Sequence, residues 1–454
     1  MTALRLTLLA PLSAAVLLFA APAQAIEIQE VTSPGGIEAW LVEDHSNPIL
    51  ALSFSFAGGA ASDPLGQEGR SNLASGLLDE GAGELDAAAF RGELEARSIS
   101  LSFEAGRDSL RGSLVTLSEE RARAGELLAL ALSEPRFDAA AVERVRSQML
   151  SSLARRESQP NAQAALALQA SLFPDHPYGR SSSGTAETVE ALTADHLRAF
   201  VAERVARDEL LVGAVGDITP EELGVYLDAI FGGLPESGTP IAVADTVPQA
   251  AGQQHSVELA VPQSAILLAQ PGPKRDHPDY YALVVVDQVL GGGSFTSRLY
   301  EEVREKRGLA YGVWSTLRPL DKAGIWYAGT STQTARVAES LAVIQEVWRD
   351  LAEEGPSDAE IEAAVDYLVG SFLLRLTSSS AIADTLVAIQ RAELGMDYIE
   401  RRAEIYESLA PEEIRAAARR WLDPESLVVV VAGAPLEDSA EAAAGPETPR
   451  AETN

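Results

Sequence analysis

Val289-Leu-Gly-Gly-Gly-Ser-Phe-Thr-Ser-Arg-Leu-Tyr-Glu-Glu-Val-Arg-Glu-Lys-Arg-Gly-Leu-Ala-Tyr-Gly-Val-Trp-Ser-Thr-Leu317 is the stretch from which the rest of the chain is read. Gly291, Gly292 and Gly293 permit positive φ and close backbone approach, and Ser294 behind them is suited to cap a helix. Phe295, Leu299 and Val303 follow at i, i+4 and i+8, which predicts an inner stripe. Arg298, Glu301, Glu302, Arg304 and Glu305 lie off that stripe and can pair three or four residues apart, Arg298 with Glu302 among them. Gly308 stands just past a basic last turn, where a glycine usually ends a helix. Tyr311 to Leu317 and Gly324 to Thr332 are rich in aromatic and β-branched residues around a Pro/Asp/Lys/Gly turn, which predicts a hairpin.

Taken as residues alone, Arg304 could be a helix-surface charge paired with Glu301, and Tyr311 a core or hairpin aromatic. The surrounding pattern argues otherwise. A Gly-rich loop, then Ser-Arg-Leu, then Val-Arg-x-x-x-Gly-Leu-x-Tyr resembles the C-terminal half of the pitrilysin/insulinase family of zinc peptidases. That resemblance implies that Arg304 and Tyr311 reach a zinc site built by another domain or subunit. It also offers Gly291, Gly292 and Gly293 as a substrate-binding loop, against the plainer reading of a loop that leads into a helix.

The family's own metal motif is His-x-x-Glu-His on a helix, with a distant Glu. A zinc peptidase needs three nitrogen or oxygen ligands, an open position for water and a general base. The resemblance lays the motif on Asn72, Ser75 and Gly76 within Gly69-Arg-Ser-Asn-Leu-Ala-Ser-Gly-Leu-Leu-Asp-Glu-Gly81, and the distant ligand on Ser152 or Ser151. None of these is a competent zinc ligand, so the resemblance implies a chain that binds no metal. His45, His176, His196, His255 and His277 are scattered without a pairing that rebuilds a site; His176, in Asp-His-Pro-Tyr-Gly, reads as a structural loop histidine.

Beyond this stretch the chain repeats itself. Thr193-Ala-Asp-His-Leu197 matches Ala410-Pro-Glu-Glu-Ile414, and Leu210-Leu-Val-Gly-Ala-Val-Gly216 matches Leu427-Val-Val-Val-Val-Ala-Gly433, at the same offset. Asp138-Ala139 matches Asp358-Ala359 at nearly that offset, each opening a long helix. Register kept across separate elements indicates a duplicated domain. Hairpin strands mixed with long helices predict an α+β chain of two homologous domains, each an antiparallel sheet with helices packed on one face. The family resemblance implies the same insulinase-like fold.

The expected boundaries are a signal peptide at 1–25, a first domain at 26–235, a linker at 236–256, a second domain at 257–436 and a disordered tail at 437–454. Arg5, the apolar run from Leu6 to about Ala21 and Ala23-Gln24-Ala25 describe a cleaved secretory signal. No later segment approaches the ~20 apolar residues of a spanning helix, so the mature chain is expected free of the membrane, in a periplasm. With 67 acidic against 35 basic residues the net charge is −32, which disfavours nucleic acid as a partner. Cysteine is absent, which excludes disulfides and thiolate metal sites. Gly-Gly-Gly-Ser-Phe lacks the Gly-Lys-Ser/Thr of a phosphate loop, and no Gly-x-Ser-x-Gly elbow stands out.

The expectation is therefore half of an active site: a non-metal-binding subunit, inactive alone, of a heterodimeric zinc-dependent peptidase, with zinc in a homologous partner and a peptide as substrate. The alternative is a structural or binding protein that kept the fold and lost the chemistry.

Overall fold

The computed structural model describes residues 26–433. The signal peptide and tail expected from sequence lie outside them.

The first half runs β1 (Gln29–Thr32), β2 (Glu38–Glu43), β3 (Ile49–Ala57), α1 (Arg70–Ser75), α2 (Ala87–Ala96), β4 (Ser100–Ala105), β5 (Ser109–Leu117), α3 (Arg121–Ser133), α4 (Ala139–Glu157), α5 (Pro160–Leu172), α6 (Ala186–Ala191), α7 (Ala194–Arg204), β6 (Leu211–Gly216) and α8 (Pro220–Phe231). The second runs β7 (Gln254–Glu258), β8 (Gln263–Pro271), α9 (Tyr280–Asp287), β9 (Ala310–Pro319), β10 (Gly324–Gln333), α10 (Val337–Glu354), α11 (Asp358–Leu373), α12 (Ser379–Arg391), α13 (Tyr398–Glu407), α14 (Pro411–Trp421) and β11 (Val428–Gly433).

Two sheets result, ordered β1-β2-β6-β3-β5-β4 and β7-β11-β8-β10-β9. Setting β1 aside, the orders correspond strand for strand, as a duplication requires. Pairing is antiparallel except at β2·β6 and β7·β11, which are parallel in both copies. Each sheet buries one face under its own helices: Leu52, Phe54 and Leu114 meet Leu73, Leu127 and Phe200 in the first half. Ile266, Leu268 and Trp326 meet Leu283, Ile344 and Trp348 in the second.

The other face is covered too, by a helix from the opposite half. On α5, Ala164, Leu168 and Leu172 pack against Ala265, Leu267 and Val430 of the second sheet. On α12, Ala383 and Leu386 pack against Val42 and Val215 of the first. The contact is close: a Cβ at Gly213 on β6 would meet the Ala383 carbonyl at 2.6 Å. Burial on both faces explains why β8 and β11 read as unbroken apolar runs rather than alternating strands. The segment between the halves carries no helix or strand from 235 to 253, yet it is fastened to both: the Ala244 carbonyl accepts from His176 Nε2 at 2.9 Å and the Thr246 N–H donates to the Lys322 carbonyl. The His176 ring is thereby used in holding its loop.

Candidate functional site

The helix ahead of β9 starts later than the sequence suggests. Ser297 caps it, its Oγ accepting from Tyr300 N–H, while Ser294 sits at φ +48°. Phe295 therefore precedes the helix and is 71% exposed, whereas Leu299 and Val303 are buried as expected. Tyr300–Glu305 is wound as a π-turn, with Lys306 N–H donating to the Glu301 carbonyl five residues back. Arg298 does not pair with Glu302; it makes a forked bond to Glu360 at 2.6 and 2.8 Å, tying the helix to the start of α11. Glu302 is taken by Lys306 and Arg307.

The turn at Gly308 explains why the Arg and Tyr stand seven apart. Gly308 takes φ +56°, its N–H donates to the Arg304 carbonyl and Leu309 N–H donates to the Val303 carbonyl, a left-handed stop that folds the chain back over the last turn. Tyr311 is thus returned to Arg304. The guanidinium carbon lies 4.4 Å from the Tyr311 ring centroid and 4.8 Å from that of buried Tyr300, and Phe295 meets Tyr300 edge-on at 5.0 Å. The Arg304 guanidinium makes no ion pair or hydrogen bond among the described residues, so its charge rests on two ring faces. The expected alternative pairing fails because Glu301 is held by Lys306.

Tyr311 is 85% exposed. It is aimed by a bulge: the β9·β10 register slips between Thr330 and Thr332, where Thr330 Oγ1 donates to the Gly312 carbonyl at 2.8 Å and Thr332 Oγ1 to the Leu309 carbonyl at 2.7 Å. The phenol stands at the mouth of a cleft of about 700 Å³ between the β9·β10 face and α5. Asn161 on α5 joins the two walls by accepting from Ser331 Oγ. Trp314, Thr316 and Arg318 line the floor, and among the described residues no carboxylate lines the cleft.

Gly291, Gly292 and Gly293 do not line that cleft. None takes positive φ. Close approach is what they provide: a Cβ on Gly291 would fall 2.5 Å from Ser315 N, and one on Gly292 2.8 Å from Asp287 Oδ2. Asp287 is buried beneath them, its Oδ1 accepting from Ser315 Oγ at 2.6 Å and Trp326 Nε1 at 2.7 Å. Burial outweighs both donors and pushes the carboxyl up to about 6.

On α1, Asn72 Nδ2 donates to the Ser182 carbonyl at 2.7 Å and Ser75 Oγ to the Asn72 carbonyl at 3.1 Å; Gly76 closes the helix, and Ser152 lies on α4. The start of α1 is anchored by buried charge. Asp63 accepts from Gly69 N–H, Ser71 N–H and Ser71 Oγ, and Arg70 bonds Glu203 at 2.8 Å. Burial is again the dominant influence on Asp63, raising its carboxyl to about 6 against these donors and Arg70.

Residues 191–368 match the family model described as peptidase M16 inactive domain. A crystal structure of a peptidase M16 inactive domain from Pseudomonas fluorescens superposes with a TM-score of 0.85 at 29% identity, covering 90% of this chain and 98% of that one. A Helicobacter pylori protein named non-peptidase homolog YmxG is 27% identical over 345 residues, 76% of this chain and 79% of that protein. A Streptomyces coelicolor protein named as a zinc protease is 32% identical over 278 residues, with 59% of each chain covered.

Over residues 191–368 the chain is thus similar to the inactive domain of M16 peptidases, and its fold is that of such a domain.

The chain departs from a zinc site in its donor set. An amide committed to Ser182, a serine hydroxyl committed to its own helix, a glycine and a further serine supply no anionic or imidazole ligand, so these residues do not fit zinc. Among the described residues no group of three or more His, Asp or Glu could hold a metal ion. No helix among them is long and apolar enough to cross a membrane. The sequence reading left out Tyr300, Thr330 and Thr332, which position the pair, and Trp314 and Arg318, which line the cleft. Tyr300 had a signal, since it stands four before Arg304; the threonines, on the opposite strand, had none.

Proposed function

We propose that this chain is the non-metal-binding subunit of a heterodimeric zinc-dependent peptidase, lending Arg304 and Tyr311 to a homologous partner that carries His-x-x-Glu-His and the zinc. The observation that carries the reading is the pairing of a solvent-exposed phenol with a guanidinium that has no charged partner among the described residues, at the mouth of a cleft. A phenol at that position donates a hydrogen bond to a peptide carbonyl oxygen as negative charge develops there, and one such donor is commonly worth ~2.7 to 4 kcal/mol. Arg304 is the positioning residue: stacked between Tyr300 and Tyr311, it fixes the ring, and its positive charge favours the anion that the phenol meets.

Export to a periplasm through the leader at 1–25 completes the proposal. The test is to purify the mature chain alone and with a co-exported homologue that has an intact zinc motif. The chain alone should carry no stoichiometric zinc and cleave no peptide, and the mixture should form a stable complex that does. Zinc and peptidase activity in the isolated chain would contradict it. A non-catalytic binding role is the second reading, supported by the name of the Helicobacter pylori relative; it requires that no homologue gain activity on mixing.

A further inference from the structure

The cleft has a chemistry of its own. β9 is the outermost strand of its sheet, and the backbone of residues 311–318 makes no hydrogen bond beyond β9 and β10 among the described residues. An edge of unpaired N–H and C=O groups beside a cleft is the surface to which an extended peptide adds as a further strand. Val313 and Ser315 point into the core, so Gly312, Trp314, Thr316 and Arg318 share the cleft face.

Two of these are suited to recognise side chains. Trp314 is 43% exposed, and its indole lies against Gly329 beside Leu267: a Cβ on Gly329 would come within 2.8 Å of Trp314 Cζ2 and 2.7 Å of Leu267 Cδ2. The missing side chain on β10 thus leaves an apolar shelf. Arg318, at the other end, is exposed and makes no ion pair among the described residues. Behind it Arg107 is held by the Tyr178 carbonyl and Gln169 Oε1, both at 2.9 Å. Burial, with Arg318 adding to it, lowers the Arg107 pKa although Asp108 lies near enough to oppose the shift, which marks Arg107 and Arg318 as cations that feel each other.

We propose that the outer edge of β9 takes up an extended acidic peptide as an added antiparallel strand, with an aromatic side chain on the Trp314 shelf and a carboxylate on Arg318. Trp314 and Arg318 are four residues apart, about 13 Å along a strand, so the two recognised side chains are themselves four apart. Antiparallel pairing puts the acid before the aromatic. The net charge of −32 opposes acidic ligands at long range, but at 0.15 M salt that field is screened beyond about 8 Å and the local cations decide. This inference rests on reading the Tyr311 site as a peptide site and names its substrate class. It needs no partner subunit, so it can fail while the peptidase complex still forms, and the reverse.

The experiment is fluorescence anisotropy on the isolated mature chain at 0.15 M salt, with labelled ten-residue peptides matched to the ten residues of β9. One peptide carries Glu and Phe four apart in a Ser/Thr background; others replace Glu by Gln or Phe by Ala. The first should bind. Arg318→Ala should weaken it about 3-fold, the scale of an exposed ion pair, and leave the Gln peptide unaffected. Trp314→Ala should weaken it about 10-fold and leave the Ala peptide unaffected. Equal binding of all three peptides, no binding of any, or variants that bind as the wild type does would overturn the proposal.

Discussion

Replacing Asp287 by asparagine removes a charge from beneath the glycine loop while keeping an oxygen for Ser315 Oγ and Trp326 Nε1. In the folded chain this carboxyl is raised from 3.8 to about 6, with burial as the cause. A group that binds its proton more tightly folded than unfolded stabilises the fold below its unfolded pKa. That contribution is lost as pH rises through the folded value. The span from 3.8 to about 6, at about 1.4 kcal/mol per tenfold, amounts to roughly 3 kcal/mol. Wild-type stability minus that of Asp287→Asn should therefore fall by roughly 3 kcal/mol between pH 3 and pH 7 and stay level above. Asp63 titrates in the same window but is common to both proteins and cancels in the difference. Urea unfolding of both proteins across this range, followed by tryptophan fluorescence, measures it. A difference that is flat with pH would refute the claim that Asp287 is held as a desolvated carboxyl.

Leu168→Ala on α5 and Leu386→Ala on α12 each empty a fully buried site under the other half's sheet and should cost about 2 to 5 kcal/mol in urea unfolding. Because each helix covers the opposite sheet, either substitution should shift one common transition; two separate transitions would contradict the exchange. Gly291→Ala drives a methyl onto Ser315 N and should destabilise by about 1 to 3 kcal/mol; unchanged stability in the same assay would show the loop to be slack.

The duplication was legible because helix-strand units repeat in register, and the α7–β6 unit does recur as α14–β11. The Arg304 to Tyr311 spacing was legible because Gly308 announces the reversal that brings them together. Phe295 was misplaced because Ser294 and Ser297 are both competent caps, and only tertiary packing selects Ser297. Arg298 was assigned to a neighbour on its own helix since periodicity offers only local partners, whereas Glu360 is 62 residues away. α8 went unread although Thr219, Pro220 and Glu222 spell a capping box with proline in the first turn. The exchange of α5 and α12 was invisible, because an apolar helix face does not name the sheet it will cover. The unbroken apolar runs of β8 and β11 were the one hint of burial on both sides.

Division of labour is tested most directly by Tyr311→Phe in the complex with a zinc-binding partner. Phenylalanine keeps the ring on Arg304 and removes only the hydroxyl. Turnover should drop about 100- to 1,000-fold, with assembly and zinc content unchanged. Turnover equal to that of the wild-type complex would contradict the account.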